Sequence, residues 1–187
     1  MFKAVVEAMK PKEPPAPVTG NRFTFYMSDA VAMAQVERNT ERWKLENGRM
    51  HVAAMLSEER DSVVHTGIAL DSTFTKSFRL SFGGRVYIAL LGMENVDAFA
   101  GAIGGEAAYR LPFKATPLEF AASLYYAPDI FTFGAGDRAI DAQADVILHF
   151  RESSALFAGV RFFQVDVRPE DREVDNRLHL GFRWDFK

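Results

Sequence analysis

The residues of this chain with the clearest catalytic potential are its histidines, four among 187 residues. A serine nucleophile needs a histidine within hydrogen-bond reach and an acid to orient it. His149 with Ser123 and Glu119, or His65 with Ser57, supply those residue types, and lipid acyl hydrolysis or transfer would be their chemistry. Both sets fall on the polar side of their strands, away from the apolar face where a lipid would sit. They therefore read as members of a polar network, and no enzyme activity is expected. With no cysteine, disulfides, thiolate metal sites and cysteine nucleophiles are excluded. No His/Asp/Glu spacing suggests a metal, no glycine-rich loop suggests a phosphate, and no cofactor is expected. The 22 basic and 25 acidic residues leave a net charge of −3, and no basic run with interleaved aromatics points to nucleic acid.

The elements that must carry these residues are legible from the last eleven, RLHLGFRWDFK. Leu178, Leu180, Phe182, Trp184 and Phe186 share one face of an extended strand, and Arg177, His179, Gly181, Arg183 and Asp185 share the other. A barrel in a bilayer needs that division, with lipid on one side and a polar lumen on the other. The spacing of His179, Gly181, Trp184 and Phe186 resembles the C-terminal recognition signal of bacterial outer-membrane barrels, with Lys187 one residue beyond the usual terminal aromatic.

The same period recurs upstream. In residues 138–151, Asp141, Gln143, Asp145, His149 and Arg151 alternate with Ile140, Ala142, Ala144, Val146, Leu148 and Phe150, with Ile147 the apolar exception. Similar runs cover 50–57, 64–71, 77–91, 98–111, 118–126 and 156–166. Several exceed the five or six residues usual in soluble sheets and fit the roughly 9–11 of a tilted membrane strand. The 17 phenylalanines suit strands. No apolar run approaches a membrane helix, and the mean hydropathy of −0.09 is uninformative where only alternate residues meet lipid.

Turn signals at 58–61, 112–117, 127–136, 151–154 and 169–175 separate these runs, and such short connections imply antiparallel hairpins. Splitting 22–38 at Ser28–Asp29 brings the count to ten, an even number as single-chain bacterial barrels require. The expected fold is an all-β, antiparallel, up-and-down transmembrane barrel of about ten strands, with eight as the alternative. Residues 1–20, proline-stiffened over 10–20, read as a flexible segment preceding a barrel domain at 21–187. Export requires a signal peptide, and the first ten residues lack its apolar core, so a native signal is expected to be absent or replaced.

Three stretches carry a family resemblance: GAIGGEAAYRLP (101–112), LYYAPD (124–129) and GFRWDF (181–186). From Gly101 onward the chain resembles the YfaZ family of bacterial outer-membrane proteins, and FYMSDAVAM earlier in the chain is compatible with it. The resemblance implies a porin-like barrel in a Gram-negative outer membrane. It supplies no catalytic residues.

On that fold the residues expected to line the lumen are Arg79, Arg85, Glu106, Arg110, Glu119, Asp141, Asp145, His149, Arg161 and Arg183, with Arg151, Arg177, His179 and Asp185 on the same face. Their mixed signs fit either a structural ion-pair network or a constricted polar channel. Tyr109, Tyr125, Tyr126 and Trp184 read as interfacial girdles. The expected partners are outer-membrane lipids and, through the terminal signal, the barrel-assembly machinery. A soluble calycin-like barrel with the apolar face turned inward around an apolar ligand is the alternative, because alternation alone does not say which face is inside.

Overall fold

Alternation of large apolar and polar side chains makes each run of this sequence favour an extended strand with two dissimilar faces, and the chain satisfies both faces by closing on itself. The structure is a computed structural model that describes residues 20–40, 47–73, 75, 77–91, 96–111, 118–134, 136–167 and 170–186. The strands are β1 (Asn21–Met27), β2 (Val31–Asn39), β3 (Gly48–Ser57), β4 (Ser62–Thr73), β5 (Phe78–Leu91), β6 (Val96–Arg110), β7 (Leu118–Ala127), β8 (Thr132–Gly134), β9 (Gly136–Arg151), β10 (Ser154–Val167) and β11 (Glu170–Phe186). Neighbours pair antiparallel throughout, and β1 against β11 closes the ring.

The barrel wall has ten strands, because β7 and β8 are two parts of one. Ile103 to Arg110 of β6 pair with β7, and Ala98 to Ala100 continue the same ladder onto β8. Between them lie Pro128 and a 3₁₀ turn at Asp129–Phe131. Proline has no N–H to give the ladder, so the strand breaks there and resumes. The division at Ser28 is also present: Ser28 N–H donates to the Val31 carbonyl (2.8 Å), and its hydroxyl accepts from Val31 N–H (3.0 Å). The wall thus has the expected ten strands rather than eight.

One turn is corrected. The charged stretch 169–175 reads as a loop, yet β11 begins at Glu170 and pairs with β10 back to Val167. A bulge explains the misreading. Phe163 opposes Asp175 and Gln164 opposes Glu173, so Val174 is the extra residue and two consecutive side chains, Val174 and Asp175, are both buried. The period is lost where the ladder continues. The connections at 127–136 and 167–170 lie at one end, and the 151–154 turn lies at the other with both termini. Residues 1–19 of the N-terminal segment, Lys187, residues 112–117 and most of the 39–48 loop lie outside the described residues.

The large apolar residues face outward. Leu180 is 67% exposed and Phe82 61%, with Leu56, Ile88, Leu124, Leu156 and Trp184 exposed alongside them. Their strand neighbours face the lumen and are buried or part-buried. This is the inverse of the calycin-like arrangement, which would hold these side chains inside. In water such a band would far exceed the few hundred Å² of apolar patch that soluble monomers expose, whereas hydrocarbon matches it. Tyr109 and Trp184 lie on this outer face near the terminal end, and Tyr126 near the far end. Tyr125 does not join them. Adjacent residues on a strand point to opposite faces, so Tyr125 lies inside, 1% exposed.

Candidate functional site

The lumen holds two tiers of charge. In the far tier, inward positions of β5, β9 and β10 place Arg85, Asp141 and Arg161 at one level. Arg161 grips Asp141 with two parallel hydrogen bonds, Nε to Oδ1 (2.9 Å) and Nη2 to Oδ2 (3.0 Å). Arg85 Nη1 (2.9 Å) and the Tyr87 hydroxyl (2.8 Å) donate to the same Oδ2 from across the barrel. Arg161 Nη1 also donates to the Tyr26 hydroxyl (2.7 Å), which donates to Asp175 Oδ2 (3.0 Å). Phe163 stacks on Tyr87, and Met33 and Met55 place their sulfurs against Arg161. On the adjoining wall the imidazoles of His51 and His65 meet at 3.2 Å. Asp141 is 1% exposed, Arg161 2% and Arg85 8%. Side chains thus fill the cross-section here.

The second tier lies toward the termini. Arg49 pairs with Glu37 (2.8 Å), Asp71 (2.9 Å) and Glu106 (2.9 Å). Arg22 pairs with Asp185 (2.6 Å) and Glu37 (3.4 Å). Glu119 receives His149 (3.2 Å) and Arg110 (3.3 Å), with Arg183 more distant at 3.8 Å. Glu106 links the tiers: Arg85 reaches it at 3.1 Å and the Tyr125 hydroxyl donates to it at 3.0 Å, while the Arg85 guanidinium lies 3.7 Å from the Tyr125 ring centroid. A cavity of about 90 Å³ remains in this tier, with Arg22, Arg79 and Arg183 among its lining residues.

Arg79, Arg85, Glu106, Arg110, Glu119, Asp141, Asp145, His149, Arg161 and Arg183 all sit on the inner face, across six strands. Arg151 and Arg177 do not follow them. Arg151 is exposed at the hairpin end, and Arg177 lies at the rim, where β11 outruns the short β1, and pairs with Asp29 (2.7 Å). The serine–histidine sets are not assembled. Ser123 opposes Gln143, six residues along β9 from His149, or about 20 Å at strand rise. His65 opposes Ala53, four residues from Ser57 and so roughly 13 Å away. Among the described residues no group of three His, Asp or Glu side chains could hold a metal.

Sequence reasoning missed Arg22, Glu37, Arg49 and Tyr26, although the signal was present. Arg22, Thr24 and Tyr26 alternate with Phe23, Phe25 and Met27, and Arg49 lies one step before His51 on the polar face. The terminal residues have packing roles as well. His179 meets Asp145 at 2.9 Å and stacks on Tyr26. A Cβ on Gly181 would collide with the Phe157 ring and the Phe25 carbonyl, so only glycine leaves that ring its place. Trp184 packs outside against Phe186.

No family model matches the chain, and no curated protein matches it. Among solved structures it is similar to a bacterial polysaccharide outer membrane secretin, at 11% identity and a TM-score of 0.54, over 84% of this chain and 56% of that one. The chain therefore spans just over half the length of that relative. It is also similar to the KdgM porin in complex with disordered oligogalacturonate (8% identity, TM-score 0.49, 90% of this chain and 99% of that one) and to the NanC porin (10%, 0.43, 89% and 98%). The fold it shares with the secretin is a β-barrel of the outer-membrane type.

Proposed function

We propose that the chain is a bacterial outer-membrane barrel, of the YfaZ type that its C-terminal half resembles, with a lumen held shut at one level by its own ion pairs. The supporting observation is the Arg161–Asp141–Arg85 layer, in which charged groups from the paired strands β9 and β10 and from β5, three strands further round, are almost wholly buried. An open channel would leave them in water. The outer apolar band takes outer-membrane lipid as its partner, and His179, Gly181, Trp184 and Phe186 form the signal read by the barrel-assembly machinery. No residue is assigned a catalytic role, and hydrolysis of phospholipid or lipid A by the refolded protein would overturn that.

The first test is gel mobility of detergent-purified protein, boiled against unboiled, where a shift is expected. In planar bilayers the wild-type protein is expected to show near-zero conductance. A second reading, a narrow porin, is favoured by the charged cavity in the tier nearer the termini. It predicts that Arg85→Ala or Arg110→Ala alters unitary conductance. Unchanged, near-zero conductance in both variants would leave the structural barrel.

A further inference from the structure

The cations of the terminal tier are unequally served. Glu37 is held by Arg22 and Arg49, Glu106 by Arg49 and Arg85, Glu119 by His149 and Arg110, and Asp145 by His179. Arg79, which lines the same cavity, makes no ion pair with any described residue. Arg183 reaches a carboxylate only at 3.8 Å, at Glu119 Oε1, while Arg110 and His149 approach the other oxygen, Oε2, more closely. Its Nε is buried and has no hydrogen-bond partner among the described residues. Arg79 and Arg183 share Arg22 and Glu119 as electrostatic neighbours, with Asp71 also near Arg79 and Glu37 and Asp145 near Arg183.

Arg79 and Arg183 are part-buried, and a cation there without a close carboxylate is incompletely compensated. The geometry points to what completes the compensation: we propose that the cavity between Arg79 and Arg183 binds a small oxyanion, the chemistry shared by inorganic phosphate and short carboxylates. Guanidinium groups present planar donor forks that match the paired oxygens of both. The cavity of about 90 Å³ has room for a few waters or one oxyanion of four or five heavy atoms, but not for a sugar chain. Thr24, Gln35, Ser123 and Gln143 line the same space and add neutral hydrogen-bonding groups. The buried Asp141 layer closes the lumen beyond this cavity, so the anion would enter from the end that carries both termini. This proposal rests on the barrel reading for the direction of entry alone, and binding is measurable whether or not the barrel conducts.

The test is calorimetric titration of the refolded, detergent-solubilised full chain with inorganic phosphate, then with acetate, at ionic strength matched by sodium chloride. Saturable phosphate binding is expected, together with a phosphate-dependent rise in unfolding temperature. Acetate binding as well would identify a general oxyanion site, and its absence a phosphate-type site. Arg79→Gln is expected to weaken binding at least tenfold, about 1.4 kcal/mol. Arg183→Gln should do the same, and Arg177→Gln, a change at the rim pair with Asp29, should leave binding unaltered. The gel shift identifies folded variants, and either cavity variant suffices if the other does not refold. No saturable phosphate binding by the wild-type chain, or binding unchanged in folded Arg79→Gln or Arg183→Gln, would overturn the proposal.

Discussion

Replacing Asp141 with alanine removes the single carboxylate on which the far tier converges. Arg161 would lose both of its bonds to that group, at 2.9 and 3.0 Å, and keep the neutral Tyr26 hydroxyl, two thioethers and the Phe163 ring, 5.4 Å from its guanidinium. Arg85 would lose one bond but keep Glu106 and the Tyr125 ring. The orphaned charge is therefore Arg161, at 2% exposure. Summing four charge-assisted hydrogen bonds at about 1.5–3 kcal/mol each would overshoot, because the folded state relaxes and water enters. Removing one partner of a buried pair typically costs about 3–5 kcal/mol, and that is the loss expected for Asp141→Ala. Asp141→Asn keeps an acceptor and the volume, so its loss should be smaller. Asp141→Ala combined with Arg161→Met removes the orphaned cation too, and should recover about 2 kcal/mol or more relative to the single variant. Urea unfolding in phospholipid vesicles, followed by tryptophan fluorescence, measures all three. An Asp141→Ala loss below about 1 kcal/mol, or a double variant no more stable than the single, would refute the reasoning.

Two further predictions concern the wall. Gly181→Ala drives a Cβ into the Phe157 ring and the Phe25 carbonyl and should cost about 1–3 kcal/mol, read from the same unfolding midpoints. Phe157→Leu in that background should recover part of the loss, and a fully stable Gly181→Ala would count against the packing role. Leu124→Arg places a charge on the outer face, half-way along its strand pair, and should destabilise the protein in lipid vesicles by about 2–4 kcal/mol. A neutral outcome there would mean that this face does not meet hydrocarbon.

The interior candidates were legible wherever strict alternation held. Asp141, Asp145 and His149 on β9 and Arg79 and Arg85 on β5 could be assigned to one face from spacing alone. Alternation failed at two kinds of place. The bulge at Val174 shifts the face assignment by one residue, so a paired strand reads as a charged loop. At the rims, Arg151 and Arg177 keep the inward period but find water and Asp29 instead of lumen, because strand ends are set by neighbouring strand lengths. The adjacent tyrosines Tyr125 and Tyr126 had to separate, one inside and one outside, once the strand was fixed.

From the sequence by itself come the two dissimilar faces, the ten strands and their antiparallel hairpins, because each depends on period and on local turn chemistry. Alternation leaves open which face lies inside; strand length and the terminal signal point the polar face inward, and the closed barrel has it there, filled by ion-paired side chains. Only the tertiary structure joined Asp141 to Arg85, 56 residues away and three strands round the wall, and left Arg79 without an ion-pair partner among the described residues. Such pairings depend on how far the strands tilt and stagger as the ring closes, and no local pattern along the chain records that.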